Sequence, residues 1–474
     1  MANIRLSPPV KQEKAPEQGI STPAESAEGT PSRKWVIVTK DFTALGWAYQ
    51  LMLDGEEVYV AVRYSEEDDT KHRDKMKRTG QGWIPVLDMD EAMKTLQSPE
   101  TYWVFGENIF PEDAEALIEA GQKVWPGNPA LSEEMEHDRD YATDVAEESG
   151  LQPPDTHEFN DKDEAISFLE AHPDKAYVMK INDNKFNYQT FVPVRKEDPD
   201  ANESLLVYLK NMEDDPEEFI LQERVKIEDS LEVNVEFWYY EGEVILASLG
   251  LEVKRKDTYD LGEMCGCGGD FMQFIPVDSP LVHKTIEKMH PFYKAKKYTG
   301  FADVNVIFTK DGTPHFLEVC NRFGYNSHPN MFLALGKDTF GNIMADYIDG
   351  KVEDLADRFD YENIGCSLTL FIDHPRQGLP IHIDSMYERQ YFPFDGYKPT
   401  GEELVMTGYS DEIGILLGKG KGIEDAWKNV SEAVAFDEAV SFPDIKYRWD
   451  LAEDNYYNAP ILRLKGLKNR GLLP

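Results

Sequence analysis

Cysteine is scarce in this chain: 474 residues hold 4, at Cys265, Cys267, Cys320 and Cys366. So few thiols, with no even framework along the chain, exclude a disulfide-stapled secreted fold and point to a reducing, cytoplasmic setting. Cys265-Gly266-Cys267 has no second pair at zinc-site spacing, so no zinc cluster is expected there. Long apolar runs are missing too. No stretch approaches the roughly 20 apolar residues of a membrane span. The first residues lack the apolar segment of a signal peptide, so no export and no membrane partner are expected. Positive charge is also short. Against 89 acidic residues stand 49 basic ones, a formal charge of −40. That field repels DNA, RNA and anionic lipid, so no nucleic-acid partner is expected, and its ordinary consequence is solubility.

What is present is a globular composition, 41% hydrophobic and 12% aromatic, long enough for several domains. Met1–Arg33, rich in Pro, Ser, Glu, Ala and Lys, reads as a disordered tail. The acidic runs Ser65–Thr70 and Met212–Glu218 read as solvated loops. From Lys34 the pattern is a buried strand (34–38), a helix (42–53) and a strand (57–62), which implies a parallel sheet with a right-handed crossover. Strands at 101–105 and 123–125 flank a helix at 111–120, making 34–126 a small α/β domain. Beyond it, helices are expected at 132–149, 161–171 and 280–296, and strands at 176–181, 219–225, 231–240 and 243–251. Strands at 366–372 and 412–417 and a helix at 424–434 read as a separate C-terminal part, 346–474. There is no internal repeat.

The most informative segment is Gly300–Gly324. Val304, Val306 and Phe308 alternate with Asn305 and Ile307, Asp311-Gly312 makes a tight turn, and a second strand at 315–319 returns. Such a hairpin brings Asn305 beside Glu318, with Asn321 and Arg322 just beyond. A carboxylate, amide oxygens and an arginine at strand ends suit a divalent cation carrying phosphate. Lys180 ends an apolar strand and offers a point charge to phosphate. Gln222, Glu223, Arg224 and Val225 form a polar bend that can present backbone groups to an adenine edge, and Glu232 follows for ribose hydroxyls. Lys254 and Arg255 precede a run with Gly266, Gly268 and Gly269, an anion-binding environment.

In this order the elements resemble the ATP-grasp superfamily and, within it, the phosphoribosylamine–glycine ligase family. The resemblance runs from about Lys34 to Asp454 and rests on Tyr177–Lys180, Ile220–Val225 with Glu232, Lys254-Arg255, Phe316–Glu318 and Arg322–Gly324. Ile348–Lys351 and Phe442–Trp449 resemble the family's later segments. It implies an α/β fold with an N-terminal α/β domain, a central ATP-grasp domain over 127–345 and a small C-terminal α+β domain. It implies ATP with Mg²⁺ or Mn²⁺, and small-molecule carboxylate and amine substrates joined through an acyl-phosphate. Lys180 would contact the nucleotide phosphates, Gln222–Val225 the adenine and Glu232 the ribose. Lys254, Arg255 and Arg322 would be catalytic, and Glu318, Asn305 and Asn321 would hold the metal.

The chain also departs from that family. Asn182–Tyr188 stands where a glycine-rich lid is usual, and Thr39–Gly46 where a Gly-Gly turn cradles the substrate's phosphate. Cys320 takes the place of the second metal ligand, moving the asparagine one residue on to Asn321, which would need a bent backbone to reach the site. Asn305 stands where an Asp is common. Two readings follow: a ligase with an altered substrate site, or a degenerate relative that binds nucleotide or a partner without turnover. His328 reads as a loop histidine without a role, and Cys320 lacks the paired histidine of a nucleophile.

Overall fold

A computed structural model describes residues 33–64, 70–181, 190–192, 201–212, 218–225, 231–435, 440–456 and 459–474. The expected tail short of Arg33, most of the two acidic loops and all of Asn182–Tyr188 lie outside the described residues.

The first sheet is parallel and buried on both faces. It consists of β1 (Lys34–Thr39), β2 (Glu57–Val62), β3 (Val86–Asp88), β4 (Thr101–Phe105) and β5 (Lys123–Trp125), in the order β3-β2-β1-β4-β5. Near-continuous apolar runs such as Trp35–Val38, all at most 1% exposed, are what a sheet covered on both faces requires. β1 is the switch point: the chain leaves it toward β2 on one side and later adds β4 on the other. Helix Leu45–Leu53 follows it directly.

A small antiparallel sheet comes next, ordered β6 (Thr156–Phe159), β9 (Phe219–Glu223), β7 (Tyr177–Ile181) and β8 (Thr190–Phe191). The large sheet has ten strands. Its path is β15 (Pro314–Cys320), β14 (Gly300–Phe308), β10 (Leu231–Tyr240), β11 (Glu243–Gly250), β13 (Leu261–Ile275), β16 (Ile364–Ile372), β19 (Glu412–Gly420) and β18 (Tyr391–Pro393). Beside that path β12 (Val253–Asp257) pairs with β13, and β21 (Ile445–Lys446) with β16. A two-stranded ribbon joins β17 (His382–Ile383) to β20 (Val440–Ser441). The strands expected in a separate C-terminal part therefore extend the central sheet across residue 346, through the β13–β16 ladder.

Two expected helices are broken. The one over 132–149 is two helices, Pro129–His137 and Arg139–Glu148, parted at Asp138, whose backbone is extended (φ −91°, ψ 91°). The Asp138 carboxylate caps the second helix by accepting from the Tyr141 N–H at 2.9 Å. The one over 280–296 breaks at Thr285 (φ −121°, ψ −110°). The hairpin β14–β15 is anchored below by Phe323, whose ring stacks on Trp125 at 4.4 Å and packs on Trp238. Burying such a ring contributes about 2–3 kcal/mol.

Candidate active site

The β14–β15 ladder pairs Asn305 directly with Glu318, with a register shift after Asn305. Both side chains leave the sheet on the face that meets β12. There the Lys254 Nζ lies 3.1 Å from Glu318 Oε1 and 3.4 Å from Asn305 Oδ1. Glu252, two residues earlier and so on the same face, comes within 3.7 Å of that ammonium. Arg139 approaches Glu318 Oε2 at 3.7 Å from the helix beginning after the Asp138 break. Lys180, at the end of β7, donates to the Leu317 carbonyl at 3.2 Å. The small sheet and the large sheet thus present their cations to one carboxylate.

A cleft of about 650 Å³ opens here. Its lining includes Lys180, Gln222, Glu318, Cys320 and Arg322, together with Glu136 and Arg139. Lys254, then Lys180 and Arg139, hold the Glu318 carboxyl far below the usual carboxylate range against the effect of burial. Burial pushes the Lys180 ammonium down to about 8, with Glu318 opposing and Arg139 and Lys254 assisting. Burial also opposes the charge on Lys254, but Glu318, Glu252 and Glu232 keep it well above the ordinary lysine value. Glu232, on β10 opposite Ile307, acts on both lysines through its charge.

Asn321 does not reach this group, which corrects its expected role as a metal ligand. The backbone keeps strand alternation past Glu318, so Val319, Asn321 and Phe323 point into the core. Asn321 is fully buried, and its Oδ1 accepts from the Tyr293 hydroxyl at 2.9 Å. Arg255 also stays outside. It neighbours Lys254 on β12 and faces the other way, donating to the Gly262 and Val192 carbonyls at 2.9 and 3.2 Å. Arg322 does border the cleft, held by Glu136 at 2.8 Å and lying over the Tyr325 ring. Burial holds the Cys320 thiol protonated, well above its ordinary value, which does not suit a nucleophile. His328 is a core residue: its Nδ1 accepts from Trp47 Nε1 at 2.8 Å among aromatic rings.

At the polar bend, Gln222 lines the cleft and donates to Thr156 Oγ1 at 3.2 Å. The Glu223 N–H goes to the Asp155 carbonyl and the Arg224 N–H to the Ala176 carbonyl, both at 2.7 Å. The Glu223 carboxylate pairs with Lys175 at 2.6 Å. Val225 follows, half-buried. Glu252, Glu136 and Arg139 are the site residues that the sequence reading missed. Glu252 had a signal, the period of two before Lys254. Arg139 was hidden by the unforeseen helix break.

The oxygens of Glu318 and Asn305 converge on a point already held by a cation, the Lys254 ammonium. That donor set fits a divalent cation bound mainly through phosphate, since Mg²⁺ commonly takes only one or two protein oxygens. It does not fit an all-protein cage: among the described residues no group of three or more His, Cys, Asp or Glu could hold a metal. Among them, too, no helix is long and apolar enough to cross a membrane.

No family model matches the sequence, and no curated protein matches it. Solved structures do match. Phosphoribosylamine–glycine ligase from Thermotoga maritima superposes with a TM-score of 0.61 at 18% identity, over 88% of this chain and 99% of that one. Biotin carboxylase from Campylobacter jejuni gives 0.60 at 12% identity, over 91% and 98%. An L-amino acid ligase from Bacillus licheniformis gives 0.52 at 16%, over 87% and 99%. The fold is the ATP-grasp fold of these enzymes, and it resembles that of phosphoribosylamine–glycine ligase.

Proposed function

We propose that the protein is an ATP-dependent carboxylate–amine ligase. The observation that carries this reading is the meeting of Lys180, Arg139 and Lys254 around Glu318, with Asn305 beside it, at a cleft that Lys180, Arg139 and Glu318 line. Clustered cations with one anionic ligand are what a polyphosphate and its metal need, and positioning plus charge neutralisation supplies most phosphoryl-transfer catalysis. Support comes also from the matched structures, among them a carboxyaminoimidazole ribonucleotide synthase complexed with ATP.

In this reading Lys180 and Arg139 bind the nucleotide phosphates, Val225 and the Gln222 region meet the adenine, and Glu232 takes the ribose. Glu318 and Asn305 would hold Mg²⁺, which when bound neutralises charge on the phosphates. Lys254 steadies the transferring phosphoryl group. A carboxylate oxygen of the substrate attacks the terminal phosphorus, the P–O bond to ADP breaks, and an acyl-phosphate forms. The amine then attacks the acyl carbon, the C–O bond to phosphate breaks, and the amine's proton passes to solvent. Arg322, at the cleft wall, faces the acyl-phosphate.

A second reading, nucleotide binding without turnover, is favoured by one observation. With Asn321 turned inward, two of the three expected ligands, Glu318 and Asn305, remain for a metal. The test is ADP release when carboxylates and amines are offered together with ATP and Mg²⁺. Amine-dependent ADP release, lost in Glu318→Ala, supports the ligase; nucleotide binding with no ADP release from any pair supports the second reading.

A further inference from the structure

The carboxyl ends of β1 and β4 meet at the switch point of the parallel sheet, where open α/β sheets commonly bind ligands. The chain passes there from β1 through Lys40–Ala44 into helix Leu45–Leu53. A turn of this kind, entering a helix, directs N–H and hydroxyl donors outward and suits an anion. The turn is held tightly. Phe42 is fully buried in a left-handed conformation (φ 66°), and the Tyr409 hydroxyl donates to the Asp41 carbonyl at 2.7 Å.

The donors are already engaged. The Thr39 hydroxyl donates to Glu107 Oε1 at 2.8 Å, the Thr43 hydroxyl to the same oxygen at 2.6 Å, and the Lys40 N–H to Oε2 at 3.2 Å. Glu107 lies just past β4 and is 7% exposed. Gly106 lets it get there: a Cβ on Gly106 would stand 2.7 Å from the Ala44 Cβ, so only glycine allows the end of β4 to press against the turn. The carboxylate is set like a ligand: two hydroxyls and one amide grip its two oxygens.

We propose that Glu107 is a built-in anion that fills this turn, so that a substrate held beside it carries no phosphate there. The turn stands electrostatically close to the cleft: the charges of Glu107 and Asp41 act on Tyr325, over whose ring the cleft residue Arg322 lies. Two carboxylates at this turn, Glu107 and Asp41, repel a phosphate and favour a neutral or cationic group. Burial and Asp41 raise the pKa of Glu107 even with three donors on it, as expected where one anion is enclosed beside another. The statement about the turn stands on its own geometry; the statement about the substrate rests on the ligase reading.

The test is a gain of function. In Glu107→Ala the three donors lose their acceptor and should take inorganic phosphate. Phosphate should raise the melting temperature of Glu107→Ala by about 2 °C more than that of the wild type. The extra shift should vanish when Thr39→Val and Thr43→Ala are added, and should be absent in Glu107→Gln, whose amide still fills the turn. A folded Glu107→Ala that responds to phosphate no more than the wild type overturns the proposal. A second readout needs no variant: wild-type crystals soaked in selenate should show no anion at Thr39 and Thr43, and selenate displacing Glu107 from them overturns it. Failure of the protein to bind nucleotide would end the ligase reading and leave each of these outcomes readable.

Discussion

Glu318, which lines the cleft, is ion-paired with Lys254 3.1 Å away, with the Glu318 side chain 32% exposed and that of Lys254 26%. Each holds the other charged, and each lies on a separate strand, β12 and β15. Removing one leaves the other charge partly buried and without its nearest partner. Lys254→Met and Glu318→Ala are therefore each expected to lower amine-dependent ADP release by on the order of 100-fold or more. The double variant should lose much less than the product of the two, because both act through one pair. Steady-state ADP release by the three variants checks this.

The depressed pKa of Lys180, about 8, makes nucleotide binding pH-dependent. Below that value the ammonium is present in the free protein and meets the phosphates. Above it the amine must take up a proton on binding, so ADP affinity should fall as pH rises from 7 to 9. Calorimetry in buffers of different ionisation enthalpy at pH 8 should register proton uptake, and Lys180→Met should abolish it. A flat affinity across that range would remove Lys180 from the phosphate site.

The interior acids set the pH of greatest stability. Burial, then Glu252, raises Asp270 from 3.8 to about 7, and burial with Asp303 or Glu252 raises Glu236 and Asp303 well above the ordinary range. A carboxyl with a raised folded-state pKa binds more protons folded than unfolded, so its contribution is fully present below the unfolded value and is lost as pH rises through the folded one. Glu318 acts oppositely, losing its contribution as pH falls below its ordinary value of 4.5. The melting temperature is expected to peak in mild acid and to fall between pH 5 and pH 8. Asp270→Asn should flatten that fall, as scanning calorimetry across the range would show.

Asn321 separates a structural role from a metal-binding one. Asn321→Ala leaves the buried Tyr293 hydroxyl without its acceptor, at a cost of about 1–3 kcal/mol. Adding Tyr293→Phe should recover part of that loss. The affinity of the folded variants for Mn²⁺·ADP should match the wild type's. A selective loss of metal affinity in Asn321→Ala would return the residue to the metal site.

Much of this site was legible because strand alternation is local. The Asp311-Gly312 turn and the apolar pattern of 304–308 place Asn305 against Glu318, and the ladder has that pairing. The same alternation places Asn321 and Arg255 on faces opposite to Glu318 and Lys254. The structure honours that periodicity, whereas the resemblance to known ligases drew both residues into the site. What stayed hidden is long-range. Periodicity marks 364–372 as a strand but does not say that β13 is its partner. Arg139 enters the cleft only because Asp138 prefers capping the next helix to continuing the one before. Glu107 shows nothing in sequence, since its partners on β1 and the following turn lie more than sixty residues away.

The most direct test of the account is a titration of the wild-type protein with Mg²⁺·ADP by isothermal calorimetry, repeated on Glu318→Ala and Lys180→Met. The account predicts one saturable site in the wild type, markedly weakened in both variants while they remain folded. No binding to the wild type at millimolar nucleotide, or binding that both variants retain in full, would contradict it.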